Sequence, residues 1–482
     1  MMDDIEILED IEILDTKEEL KNGQQFCPNC GATQIYFNSN IGKLFCPYCD
    51  SVFEGKKIKK ADVSKIEGTI IGSGAQKINE NYNNIVTLRC NGCGAEVIVD
   101  TNETTHSRCH WCRGILSINE RIPNGAVPDV ILPFKVKKEE AKQHIDKFVM
   151  SRTFFALPRF KKEYKIENVM GVYLPYMLVD ANTLCDFDGE GEKCVRQYGS
   201  GKTKRYDASV YKIKRKFNMT IEDLTIETSK DKLDKDKKNK TNNIINSIMP
   251  FDTENCIRFE SNYLTGYTSE KRDTNIEELN YKTETQFHDI ARHSLNDSIK
   301  DYDRGVRWQK ENMDIIGTRW ISSYLPVWLY SYYDKRKKQL HYIAINGRTK
   351  ELMGSIPINK PLLLFISLII EIIAVIISLK ILITFEIDKL TLTIAFFLCM
   401  SGFIYYRVIF NRYRNQYARH TYEKETKAKV SMLKKEDIYV SMSTNLKNDT
   451  IKGKNNTRID GDKIKIVDKT SVFDKIVDKL SK

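Results

Sequence analysis

At 482 residues the chain is too long for one typical domain, so a single-domain reading is excluded and several modules are expected. Apolar residues make up 41%, enough for packed cores, and charged residues 29%. The net charge of +11 suits a nucleic-acid binder, a protein lying on an anionic membrane face, or a solvated basic surface, and separates none of these.

The chain opens MMDDIEILEDIEILD, acidic where a secretory signal needs a basic stretch and an apolar core. Residues 1–22 are read as an acidic N-terminal tail. Twelve cysteines follow, eight of them in C-x-x-C pairs. Without a secretion signal these pairs read as metal ligands kept reduced in a cytosol.

The first constellation is Cys27, Cys30, Cys46 and Cys49, in a ribbon spanning 23–58. The second is Cys90, Cys93, Cys109 and Cys112, in a ribbon spanning 85–120. Each has fifteen residues between its pairs, and a constant offset of 63 relates all four positions, as expected of an internal duplication. A C-x-x-C turn offers two thiolates to one ion, and a hairpin brings the second turn back. Four thiolates then close a tetrahedron around Zn(II) at roughly 2.3 Å per bond. Gly31 and Gly94 suit the tight knuckles, while Ile35–Phe37 and Val97–Val99 supply hairpin arms. Two zinc ions are expected, both structural, because a closed four-thiolate site leaves no place for water. A redox-active pair fits less well, since it needs one C-x-x-C and not two. His106 and His110 are close enough in sequence to substitute in the second site. Cys185, Cys194, Cys256 and Cys399 lack ligand spacing and read as ordinary core or surface residues.

Residues 128–357 are expected to form a β-rich α+β domain with a Lys/Asn-rich loop at 230–243. Lys137–Ser151 should be a helix burying Ala141, Ile145, Phe148 and Val149, and 276–300 a second one. Strands are expected at 171–187 and 203–219, and again from Ser322 to Ile345. YLPYMLVDAN from Tyr173 and YLPVWLYSYY from Tyr324 echo each other and suggest two related units. GSGKT at Gly199–Thr203 resembles the end of a phosphate-binding loop. Arg196 stands where the leading glycine belongs, and strand-like flanks favour a hairpin turn. His288 and His293 are five apart and do not share a helical face. No catalytic residue is assigned.

Residues 361–410 read as a transmembrane hairpin, with apolar stretches at 361–385 and 390–410 joined by Glu386–Lys389. Arg348, Lys350 and Lys360 precede it, and Arg407, Arg412, Arg414 and Arg419 lie at or beyond its end. The positive-inside rule puts both termini in the cytosol. Glu371, near the middle of the first stretch, marks either an ion path or a helix contact; a locally paired residue without a transport role is preferred. Residues 411–482 read as a basic cytosolic tail. Its last segment, TSVFDKIVDKLSK, is amphipathic and fits a membrane-surface helix, a docking helix or disorder equally.

The ribbon ending CHWC, then ILPFKVKKEEA, GVYLPYMLVDA, SSYLPVWLYSYY, IAINGRTKELMGSIPINK and the apolar hairpin form an ordered set over residues 85–415. This set resembles a group of bacterial membrane-attached proteins with transcription-factor-IIB-type zinc ribbons, often labelled primosomal-helicase-like. The resemblance implies zinc and membrane attachment and no established activity. The expected role is a non-enzymatic binding or scaffold module for a protein partner, anchored in the bilayer. The alternatives are a membrane-tethered nucleic-acid binder and an enzyme acting on a membrane or envelope substrate. The oligomeric state is not readable from the sequence.

Overall fold

A computed structural model describes residues 27–466 apart from 33–34, 39–40, 56–61, 73–74, 76–84, 90–95, 101–106, 109, 111–114, 117–120, 123–127, 200–204, 229–247, 260, 265, 271, 273, 304, 335, 338, 385–388, 415–421, 448–456 and 461–462. The acidic tail, the 230–243 loop and the amphipathic segment at the C-terminus lie outside the described residues.

Three short strands, β1 (Tyr36–Asn38), β2 (Lys43–Phe45) and β3 (Val52–Phe53), form a small antiparallel sheet. After β4 (Gly68–Ile71) come β5 (Ile85–Arg89), β6 (Glu96–Asp100), β7 (Ser107–Arg108), β8 (Ile115–Leu116) and β9 (Arg121–Ile122). β10 (Val130–Ile131), α1 (Lys138–Met150) and α2 (Pro158–Glu163) lead into two long strands, β11 (Met170–Tyr198) and β12 (Arg205–Glu227). β13 (Ile257–Arg258), β14 (Thr268–Glu270) and α3 (Ile276–Ser294) precede β15 (Val306–Asp334), β16 (Gln339–Asn346) and β17 (Leu352–Gly354). Helices α4 (Lys360–Thr384), α5 (Lys389–Leu398), α6 (Ser401–Arg414) and α7 (Tyr422–Glu425) follow. β18 (Lys427–Lys447) then rejoins the sheet, and β19 (Thr457–Asp460) and β20 (Lys463–Ile466) make a separate hairpin.

The core is a curled sheet centred on the antiparallel pair β11–β15. The echoing segments meet there directly. Tyr173, Leu174 and Pro175 face Pro326, Leu325 and Tyr324, so the two units are related by a local two-fold axis through the Leu174–Leu325 pair. The symmetry extends outward. β10 pairs with β15 at Ser323 and Tyr324, and β14 pairs with β11 at the equivalent Val172 and Tyr173. α1 starts seven residues after Ile131, and α3 seven after Ser269. Each unit is therefore short strand, helix, long strand and return strand, and the short strands are exchanged.

This arrangement explains two prolines in the middle of long strands. One edge of β11 is shared by β14, which ends its pairing at Tyr173, and β12, which begins at Tyr176. Pro175 sits at the handover. Pro326 sits at the matching handover between β10, at Tyr324, and β16, at Val327. A residue without an N–H fits where no neighbouring strand requires one.

Burial follows from what covers each face. Residues 171–181 are buried on both faces, hence the apolar run from Gly171 to Val179, and the buried Asp180 that follows is ion-paired with Arg319. α1 covers one side with the four apolar residues predicted for it, next to Phe134, Tyr173 and Trp328. Further along, β15, β11, β12 and β18 form a four-stranded blade. α3 packs Leu279, Phe287, Ile290 and Ala291 against Phe187, Ile213, Phe217 and Trp308 on its inner side. Each fully buried side chain of this size contributes about 1.5–3 kcal/mol. The outer side is a charge ladder: Asp186, Asp188 and Glu190 of β11 face Lys216, Lys214 and Lys212 of β12. β11 and β12 are paired up to Tyr198 and Arg205; of GSGKT, residues 200–203 lie outside the described residues.

Four expectations change. β15 begins at Val306, well before Ser322, because its first half lies on the blade, where solvent-facing charges mask the strand pattern. The hairpin of the second ribbon region is part of the main sheet: β6 pairs with β14, and Val97 is fully buried in the core. Residues assigned to a basic tail include β18, paired with β12 along almost its whole length. The second apolar stretch is two helices and not one: α5 and α6 are bent by 47° at a break over Cys399–Met400.

α4 is the one helix among the described residues long and apolar enough by itself to cross a membrane. Only 22% of its apolar window is buried, unlike the core helix of a globular domain. Phe365, Leu368, Ile372 and Ile376 face outward. Its covered face, Leu363, Ser367, Ala374 and Ser378, packs on α5 and α6. The Gly402 N–H donates to Glu371 Oε2 at 2.7 Å, so the carboxyl group takes up an amide of the first turn of α6 that has no helical partner. A Cβ on Gly402 would run into the Ser367 carbonyl. Glu371 thus makes a contact between α4 and α6, one of the roles considered for it.

β16 also carries a pH-sensitive group. His341 Nδ1 lies 3.3 Å from Ser355 Oγ. Burial pushes its pKa down to about 4, opposed by Asp334 and aided by Arg414 and Lys337. The folded protein keeps this ring neutral while the unfolded chain takes up a proton below the ordinary value near 6.5. Stability should therefore fall as pH drops from about 6.5 to about 4, by roughly 2–3 kcal/mol from this group. Thermal melts of the solubilised protein at pH 7.5 and 4.5 test this: His341→Gln should flatten part of the dependence, and an unchanged profile would refute the assignment.

Candidate metal centre

The first ribbon is built from two similar knuckles. In the first, the Gly31 N–H donates to the Cys27 carbonyl and the Cys27 N–H to the Ala32 carbonyl, both near 2.9 Å, with Gly31 at φ +73°. In the second, the Cys46 N–H donates to the Ser51 carbonyl at 3.0 Å, and Asp50 takes the left-handed position at φ 54°. Asp is among the few residues with a side chain that enter this region readily. The β1–β2 turn, with Gly42 at φ +70°, brings the knuckles together.

The result is one cluster of four sulfurs, all within 4.8 Å of one another. Cys27 and Cys49 Sγ are 3.5 Å apart, and Cys30 and Cys46 Sγ 3.6 Å. Tetrahedral zinc with bonds of about 2.3 Å has sulfur–sulfur edges of about 3.8 Å, so the donor set fits a metal ion such as zinc. Ser51 was not anticipated: its Oγ lies 3.1 Å from Cys27 Sγ and 2.9 Å from Cys49 Sγ. Its position two residues after the last cysteine was the available signal.

The thiols are electrostatically unequal. Burial raises Cys27, but Ser51 and the Cys30 and Asn29 amides outweigh it and bring its pKa down to about 6. The Ala32 amide lowers Cys30, yet the neighbouring sulfurs of Cys49, Cys46 and Cys27, with burial, push it up to about 12. Ser51 lowers Cys49. Sulfurs this close resist joint ionisation unless a cation stabilises them. Uptake of the ion would thus release protons and favour mildly alkaline solution.

The ribbon does not stand alone. Phe37 and Leu44 belong to the main core, the Phe37 ring lies 5.3 Å from that of Tyr263, and Asn262 donates to the Ile35 carbonyl at 2.8 Å. Of the second constellation, Cys90, Cys93, Cys109 and Cys112 lie outside the described residues, as does His106. His110 is buried; Ser331 Oγ donates to its carbonyl at 2.6 Å, and its Nδ1 lies 3.4 Å from Thr268 Oγ1. Among the remaining cysteines, Cys185 and Cys256 are buried, Cys194 is half-buried and Cys399 exposed. On α3, His288 lies 3.9 Å from Glu311 and His293 3.4 Å from Asn296, so the two look to different partners.

No family model matches the chain. No solved structure matches it either. The chain is similar to the uncharacterized protein YdjG of Bacillus subtilis (strain 168), with 25% identity over 338 residues, covering 69% of this chain and 90% of that one.

Proposed function

We propose that this is a membrane-attached zinc-ribbon protein whose ribbons and β-rich domain face the cytosol and bind a protein partner without catalysis of their own. It would hold two structural zinc ions, the second on Cys90, Cys93, Cys109 and Cys112. The observation that carries the reading is the closed cluster of Cys27, Cys30, Cys46 and Cys49 on a chain that also bears α4. The ordered motifs over 85–415 and their resemblance to membrane-attached transcription-factor-IIB-type ribbon proteins support it. In this reading α4 is one span and α5–α6 a second, bent one. The arginines and lysines flanking both would hold the termini on the cytosolic side.

A nucleic-acid partner is less well supported. The row of Lys212, Lys214 and Lys216 is faced across the strand by three acids, so that side of the blade is a mixed-charge surface and not a basic groove. The test is affinity capture from solubilised membranes with the full chain and with Cys27→Ser/Cys49→Ser. A protein retained by the first and lost from the second is expected. Identical sets of captured proteins, or salt-dependent capture of DNA or RNA instead, would overturn the reading.

A further inference from the structure

We propose that the turn joining α1 to α2 sits in the headgroup layer of an anionic bilayer, as a contact additional to the apolar helices. This rests on the reading of α4 as a spanning helix.

The turn is fastened to the residues just before α4. The Asn359 N–H donates to the Phe155 carbonyl and the Leu157 N–H to the Pro357 carbonyl, each at 2.8 Å. Ala156 and Ile358 form a β-bridge between these two bonds. α4 begins at Lys360, so the turn is held at the level where that helix would enter hydrocarbon. Phe155 points inward, its ring against Tyr405 and Tyr413 of α6. Its neighbour Phe154 lies edge-to-face on the Phe155 ring, centroids 4.8 Å apart, and is 65% exposed, and Met150, the last residue of α1, is 52% exposed. Single exposed apolar residues need no explanation, but two large ones at this level continue the apolar exterior of α4.

The surroundings have the charge a lipid surface requires. Exposed Arg159, Lys161 and Lys162 follow on α2, and Lys161 Nζ reaches the Phe154 carbonyl at 3.5 Å. The one acid of that helix, Glu163, ion-pairs with Arg159. Arg152 Nε donates to the Arg412 carbonyl at 2.9 Å, and Lys360 and Arg414 flank the Phe410 ring. Basic side chains thus ring two apolar ones. That is the composition of a segment lying in the headgroup boundary of an anionic membrane.

The full chain in nanodiscs of phosphatidylcholine and phosphatidylglycerol tests this, with the phosphatidylcholine brominated near the headgroup end of its chains. Phe154→Trp should add blue-shifted emission over the four native tryptophans, quenched about twofold by the brominated lipid. Leu368→Trp, in the exposed face of α4, is the reference. If Leu368→Trp is quenched while Phe154→Trp emits as in water, the turn does not touch lipid and the inference is overturned with the spanning helix intact. If neither is quenched, the spanning reading of α4 fails, and this inference with it.

Discussion

Cys46→Ser should lower the zinc content by one equivalent per chain relative to the parent and unfold residues 27–55. Cys46 is fully buried, and a serine oxygen is a poor substitute for a thiolate in a four-sulfur set. Structural zinc contributes about 10–16 kcal/mol to modules of this size, far more than three strands of two or three residues can supply by packing. The damage should spread. Phe37 and Leu44 share the main core, so their release uncovers Tyr263 and the Asn262 hydrogen bond to Ile35. Elemental analysis reads the metal, and amide exchange of residues 36–45 and 261–264 reads the structure. Unchanged zinc content would refute the site.

Asp437→Ala should detach β18 from the blade. Arg215 has no solvent exposure, yet it carries a charge between β12 and β18. Its Nη1 donates to Asp437 Oδ1 at 2.6 Å, the Lys214 carbonyl at 2.9 Å and the Glu436 carbonyl at 3.1 Å. Burial raises the Asp437 carboxyl, but Arg215 outweighs this and holds it below the ordinary carboxylate range. Removing the acid leaves a buried cation without its counter-charge, a loss of about 3–5 kcal/mol. Protease cleavage should appear within 427–447 in the variant before the rest of the domain is cut. Arg215→Met with Asp437→Leu should recover much of the loss, because a matched apolar pair leaves no charge buried. Equal resistance of parent and Asp437→Ala would show that the pair does not hold the strand.

The legible parts of the sequence are those where one physical requirement dominates. The C-x-x-C spacing is dictated by tetrahedral geometry, and α1 was readable because one stripe of it is buried and the rest wet. The Tyr-Leu-Pro echo was visible because two handovers in one sheet call for the same proline. β18 was obscured by its position at the edge. Its exposed side chains include Met432, Ile438, Tyr439 and Met442, and bulges at Leu433 and Val440 interrupt the two-residue alternation. The break between α5 and α6 was hidden because hydropathy registers composition and not hydrogen bonding. Gly402 held the signal, as a residue needed for close approach to Ser367 and Glu371. Ser51 and Asp50 were missed because the ligand pattern draws attention to cysteines alone.

The exchange of short strands and the late return of β18 impose an order on biosynthesis. Val130 and Ile131 leave the ribosome long before Ser323 and Tyr324, their partners in β15. At about 5–20 residues per second that interval is on the order of ten to forty seconds, during which neither half of the two-fold unit can close by itself. The free edge of β12 waits longer still, because Lys427–Lys447 is translated only after α4, α5 and α6. The blade is therefore completed last, once the apolar helices have already been delivered to wherever they reside.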